Sequence, residues 1–195
     1  MRTASTQPAG CQRAQSWHDF FNALIWLAWP RAKGALNSTQ QRALNASGSG
    51  RRGPLSDAAT LFDESGLVLL APDDTLASLL RARQWRAAFH DARALWQTAR
   101  LYVFGHSLLE KSLQRTPGIT GKCLFLKADT RNLSGESIPE WLDTRVASAW
   151  DSGEIQRPEA LMPIPVMGVP GFDPANSAPG FYDNTQVFRP MRIMP

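Results

Sequence analysis

Three short segments of this 195-residue chain gather the residue types that move protons or hold metal ions. The first is His18-Asp19-x-x-Asn22. On a helix His18 and Asn22 stand at i, i+4 and Asp19 and Asn22 at i, i+3, so all three share a face. Ser16 and Asp19 also approximate a capping box, which accounts for Asp19 but not for Asn22. The second segment is Asp63-Glu64, adjacent carboxylates where a turn is expected. The third is Gly105-His106-Ser107-Leu108-Leu109-Glu110-Lys111. His106 and Glu110 lie at i, i+4, a spacing that suits two ligands of one metal or a carboxylate orienting an imidazole. Together the segments supply imidazole, carboxylate, amide and ammonium groups, an inventory for proton transfer or for binding a divalent metal.

If the segments meet, His18, Asp19, Asn22, Asp63, Glu64, His106, Glu110 and Lys111 form one site. A metal there would take His18, His106 and Glu110 as ligands, with Asp63 or Asp19 completing or orienting them. Glu64 would then act as general base on a metal-bound water, which describes a hydrolase. Without a metal, the same carboxylates would orient His18 or His106 for acid–base work on a small polar substrate. The alternative is a non-catalytic binding or scaffolding domain whose polar cluster is a structural network. Spacing alone leaves both open. Ser107 follows a strand-like run as a nucleophile elbow would, but Leu109 stands where the elbow needs its second Gly. No P-loop, GxGxxG or His-Glu-x-x-His pattern occurs.

These residues need elements to place them. Trp17 to Trp29 is apolar nearly all round, which predicts a buried helix broken at Pro30. A second helix is expected over 31–44. Ala58–Phe62 and Leu67–Ala71 are short apolar runs around Asp63-Glu64-Ser65-Gly66, which predicts a β-hairpin with Gly66 free to take a positive φ. Asp73 or Asp74 would cap a helix over 75–83, and 84–98 continues as one or two helices. Arg100–Phe104 and Lys122–Lys127 are strand candidates, with helices over 106–113 and 138–150. The expected fold is therefore α+β, a small mostly antiparallel sheet with helices over one face. Residues 1–15 are expected to be a loosely ordered arm and 16–156 the α+β domain. Residues 157–195 contain eight prolines yet keep Phe181, Tyr182 and Phe188, which predicts an extended arm packed on that domain, with Arg189 paired to an acid.

Composition narrows the classes. An apolar fraction of 43% with seven Trp and nine Phe supports a packed core. Cys11 and Cys123 are too few for a disulfide framework, so a reduced cytoplasmic setting with free thiols is expected. No apolar stretch reaches the roughly 20 residues a membrane helix needs, and no membrane partner is expected. The net charge of +4 comes mostly from Arg. Arg81, Arg83, Arg86, Arg93 and Arg100, interleaved with Trp85, Phe89 and Trp96, would suit an acidic partner, but the aromatic residues share a stripe that belongs in a core. Nucleic acid is not the expected partner. Oligomeric state is left open.

The blocks Trp17-His18-Asp19-Phe20-Phe21-Asn22, Pro30-Arg31-x-Lys33, Thr60-Leu61-Phe62-Asp63-Glu64-x-Gly66 and Phe104-Gly105-His106-x-Leu108-Leu109-Glu110-Lys111 occur in order, followed by Ile164-Pro165-Val166-Met167-Gly168-Val169-Pro170-Gly171 and Phe181-Tyr182-Asp183. In this the chain resembles the bacterial family called domain of unknown function 3025 over nearly its whole length from Trp17. The resemblance implies a bacterial origin and marks the polar blocks, without implying an activity. It also implies a longer lead-in before Trp17 than this chain has, and Ala where Ser107 stands.

Overall fold

In the computed structural model of the chain, residues 17–46, 53–114, 116, 118–129 and 137–191 are described. The sheet is built around strand β1, Gly66–Ala71, whose six residues are all buried. Such a run of Leu and Val fits a central strand covered on both faces. Strand β2, Arg100–Val103, pairs antiparallel with one side of β1, Val68 opposite Tyr102. Strand β3, Thr120–Lys127, pairs parallel with the other, Val68 opposite Leu124. Strand β4, Met162–Pro165, closes the order β2-β1-β3-β4, antiparallel to β3. The α+β class holds, and the sheet is mixed, with its central pairing parallel.

The parallel pairing follows from the segment before β1. Residues 58–62 are not a strand, and no hairpin forms there. They lie in helix α3, Pro54–Ser65, which starts with Pro in its first turn and buries Ala58, Ala59 and Phe62. Ala-rich sequence favours helix intrinsically, and three apolar residues at i, i+1 and i+4 fit a helical face as well as a strand. Gly66 keeps an ordinary φ of −66°. A side chain there is excluded by space, since a Cβ would meet the Phe62 carbonyl.

Side chains alternate along the strands to both faces. Val68, Leu70, Leu124 and Leu126 pack against helices α2 (Pro30–Ala46), α3 and α6 (Ile138–Asp151) and against Ile25 of helix α1 (Trp17–Ala28). Leu67, Leu69, Ala71 and Cys123 pack against helix α4 (Thr75–Arg81), a π-helical turn over 87–91 and the C-terminal segment. Cover is thus on both faces, not on one. Helix α1 departs further from expectation. Only Ile25 is buried, while Trp17, Phe20, Leu24 and Leu27 are exposed. It packs on α2 and on the helix His106–Ser112 and reaches the core through Ile25, so an all-round apolar sequence did not make it a buried helix.

Chain ends of the helices are satisfied from nearby and from afar. Ser137 caps α6, accepting from Glu140 N while its hydroxyl donates to Glu140 Oε2. Asp73, not the N-cap residue Asp74, accepts from Thr75 N at the start of α4. At α2 the cap comes from another helix. The buried Asp143 carboxylate of α6 accepts from Arg31 N at 3.0 Å and Ala32 N at 2.8 Å. Free helix N-terminal amides are natural partners for an anion.

Residues 157–191 are largely short 3-10 turns plus β4. Tyr182 and Phe188 are buried and Phe181 half-buried; Tyr182 stacks on Phe89, and the three rings meet one another edge-on or tilted. The Trp85 indole donates to the Arg189 carbonyl. Among the described residues Arg189 finds no acid, and its Nε donates weakly to the Gln186 carbonyl at 3.4 Å. The fixed guanidinium is Arg93, whose Nη atoms both donate to Asn176 Oδ1. The remaining arginines of that stretch scatter, Arg86 toward Asp91, Arg81 over the Phe125 ring and Arg100 onto backbone carbonyls. Trp85, Phe89 and Trp96 stack in the core. Among the described residues no helix is long and apolar enough to cross a membrane. Cys123 is a free, buried thiol, and burial pushes its pKa up, whereas Cys11 and Ser16 lie outside the described residues.

Candidate functional site

Helix α5, His106–Ser112, starts where the chain leaves β2 and passes the C-terminal end of α3. Gly105 makes this possible. Its backbone dihedrals are ordinary, but a Cβ would lie 2.4 Å from Gly66 N and 2.5 Å from the Glu64 carbonyl. The two backbones touch, and His106 is carried next to Asp63. Asp63 therefore sits on the last turn of α3 and not on a hairpin tip, and it is half-buried there next to the core residue Phe62.

The three segments converge. His18 Nδ1 lies 3.3 Å from Glu110 Oε2. The His18 ring meets the His106 ring edge-on, centroids 4.5 Å apart and planes at 84°. His106 Nδ1 lies 3.8 Å from Asp63 Oδ2. The other Asp63 oxygen receives Lys33 Nζ at 2.5 Å, and Lys33 donates also to Asn22 Oδ1 at 3.1 Å. A continuous line runs Glu110, His18, His106, Asp63, Lys33, Asn22. One end is open, with His18 48% and Glu110 41% exposed, and the other is closed, with Lys33 only 3% exposed.

Lys33 is not among the candidate site residues of the sequence, although it stands in the block Pro30-Arg31-x-Lys33. Its signal was there: Trp29, Ala32, Lys33 and Leu36 follow helical spacing, and the Lys interrupts an otherwise buried stripe. Its ammonium also lies 5.3 Å from the Trp26 ring and 6.0 Å from that of Phe104. Three expected residues stand apart from the line. Asp19 is exposed on α1, and Glu64 presents an exposed side chain and only its carbonyl toward Gly105. Lys111 lines a groove of about 1350 Å³ that none of His18, Asp63, His106 or Glu110 borders.

The expected ligand set of His18, His106 and Glu110 does not point at a common centre. His18 Nδ1 is taken by Glu110 and His106 Nδ1 turns toward Asp63. Among the described residues no group of three or more His, Cys, Asp or Glu side chains could hold a metal ion.

His106 is buried, and burial lowers its pKa below the ordinary 6.5. Asp63 works against that shift and His18 and Lys33 reinforce it. The Asp63 backbone carbonyl also faces the ring, yet Nδ1 makes no hydrogen bond of good geometry. The folded group therefore holds a proton less readily than the unfolded one. Its contribution is then complete above about pH 6.5 and lost as pH falls below that value. Urea denaturation at pH 7.5 and pH 5.5 should therefore show a smaller pH loss for His106→Gln than for the parent chain. Equal losses would contradict a neutral buried His106.

Compared with known proteins, residues 5–192 match the family model described as "Protein of unknown function (DUF3025)". No curated protein and no solved structure matches the chain.

Proposed function

Because the chain belongs to the DUF3025 family, whose description assigns no activity, we propose from its own geometry a hydrolase-like acid–base site for a small polar substrate. The supporting observation is the half-exposed His18 with a carboxylate on Nδ1. Glu110 accepts from Nδ1–H, which leaves Nε2 as the free acceptor. In this reading Nε2 takes a proton from water as the oxygen adds to a carbonyl carbon. The imidazolium, stabilised by Glu110, then returns the proton to the leaving group, and the carbon–heteroatom bond breaks. His106 packs edge-on against His18 and fixes its ring, and Asp63 and Lys33 hold His106 from behind.

A panel of small esters and amides tests this. His18→Ala should lower kcat/KM by on the order of 100-fold or more, the scale of a positioned general base. Glu110→Gln should lose less and shift the pH profile of kcat/KM. Both should leave Tm nearly unchanged, because neither side chain is buried. A chain without turnover above solvent, or a His18→Ala variant that keeps full rate, overturns the proposal.

The second reading is a non-catalytic binding or scaffolding domain in which the line of polar groups only fastens α1 to α3 and α5. The Lys33–Asp63 pair favours it, since Lys33 is 3% exposed and its charge is spent on a partner inside the protein. It expects His18→Ala to loosen α1 and lower Tm. A bacterial cytoplasmic setting belongs to the same proposal, supported by the unpaired Cys123 thiol. Cell fractionation checks it, and recovery from the membrane or periplasm would reject it.

A further inference from the structure

A groove of about 1350 Å³ runs beside the start of β3, away from the His18 line. Four cationic side chains reach it from four separate segments: Arg83 after α4, Lys111 of α5, Lys122 of β3 and Arg189 near the C-terminus. One carboxylate, Glu159, shares the lining. Among the described residues none of the four cations makes an ion pair. Lys33, Arg42, Arg86 and Lys127, by contrast, each lie against a carboxylate. Four unpaired like charges around one concavity repel one another, and an anion inside it would relieve that repulsion.

Arg83 adds an independent observation. It has a φ of 52°, and no other non-Gly residue among those described takes a positive φ. It follows the C-cap of α4, where Gly is the usual occupant because a Cβ is costly there. An arginine at that position, where its Cβ is costly, points to a use for its guanidinium. One Nη1 contact goes to the Pro190 carbonyl at 3.2 Å, which leaves most of its donor fork unused. Trp85, Leu108, Ile119 and Val187 give part of the wall an apolar surface, and the polar Ser65, Thr116, Thr120 and Gln186 also line it.

We propose that this groove binds a small phosphorylated molecule with at least two negative charges and an apolar or aromatic body. The charges would lie on Arg83, Lys111, Lys122 and Arg189, and the body on the apolar wall. Phosphate is favoured over a single carboxylate because arginine forks and several cations from different directions match its many oxygens. The proposal stands apart from the His18 site, which shares no lining residue with it.

Isothermal titration of the full chain with adenosine diphosphate and with inorganic pyrophosphate, at about 50 mM salt to limit screening, tests it. Adenosine diphosphate should bind more tightly than pyrophosphate, since only the former has a body for the apolar wall. Arg83→Gly, which suits the positive φ, and Lys122→Gln should each weaken binding about tenfold, near 1.4 kcal/mol. Unchanged melting of Lys122→Gln shows that a loss is not unfolding. Absence of binding by either probe up to about 5 mM, near the weak end of ligand affinities, overturns the proposal. So does binding that both variants leave unchanged. A twelve-residue oligothymidine that binds at least about tenfold more tightly than adenosine diphosphate would overturn the small-molecule assignment and indicate single-stranded nucleic acid.

Discussion

Asp63→Ala is expected to lower stability by about 3 kcal/mol, the scale for removing one partner of a buried ion pair. Lys33 is 3% exposed, and without Asp63 its ammonium keeps only Asn22 Oδ1 and the faces of Trp26 and Phe104. Neither an amide oxygen nor a ring quadrupole replaces a carboxylate in a site water barely reaches. Lys33→Met should cost less, about 1–2 kcal/mol, because Asp63 is 26% exposed and can hydrate once abandoned. The double variant should recover most of the loss, since an apolar pair of similar volume is often as stable as a buried ion pair. Urea denaturation of all four proteins forms the cycle. Additive losses, with the double variant the least stable, would show that the two side chains do not act as a pair.

Asn176→Ala should cost a similar amount, about 3 kcal/mol, and act on a different part of the molecule. Asn176 is fully buried. Its amide nitrogen donates to the carbonyls of Met167 at 3.0 Å and Val169 at 2.7 Å. Its side-chain oxygen accepts from both Nη atoms of Arg93, and its backbone carbonyl accepts from Tyr182 Oη at 2.7 Å. Truncation leaves two carbonyls and a guanidinium without these partners. Proteolysis should then cut within 166–191 well before the sheet core opens, because the lock holds this segment while β4 is held separately by its ladder with β3. If Asn176→Ala loses stability but cleavage stays global, the segment unfolds with the rest and is not locked by this residue.

The His18 line shows which parts of such a site are legible in a sequence. The pairs His18–Asn22 and His106–Glu110 could be placed because helical spacing is local. The helical identity of 106–112 and of 17–28 was readable from the same periodicity. The partners across segments were not. Glu110 binds His18 over 92 positions and not its own i, i−4 neighbour His106. That choice depends on where α1 crosses α5, which no spacing encodes. Lys33 and Asp143 were each visible as one charge in an apolar helical stripe, beside Trp29, Ala32 and Leu36 in one case and Leu142, Val146 and Trp150 in the other. A charge in such a stripe announces a partner without identifying it.

By itself, then, the sequence determined what depends on neighbours within a few residues: most of the helices, three strands read at 67–71, 100–104 and 122–127 and found nearly there, the family resemblance and the polar inventory. Where local signals tied, tertiary context decided. Ala58–Phe62 fits a strand or a helical face equally, and packing Ala58, Ala59 and Phe62 into the core beneath α2 and α6 settled it as helix. That one change placed Asp63 on a helix end, removed the hairpin and left β1 to pair parallel with β3. Burial was likewise beyond local reach. Helix α1 is apolar enough for a core, but its surroundings end at α2 and α5, so most of its large side chains face outward. Apolar character follows from residue type alone, whereas burial requires a second surface, and only the folded chain determines where that surface lies.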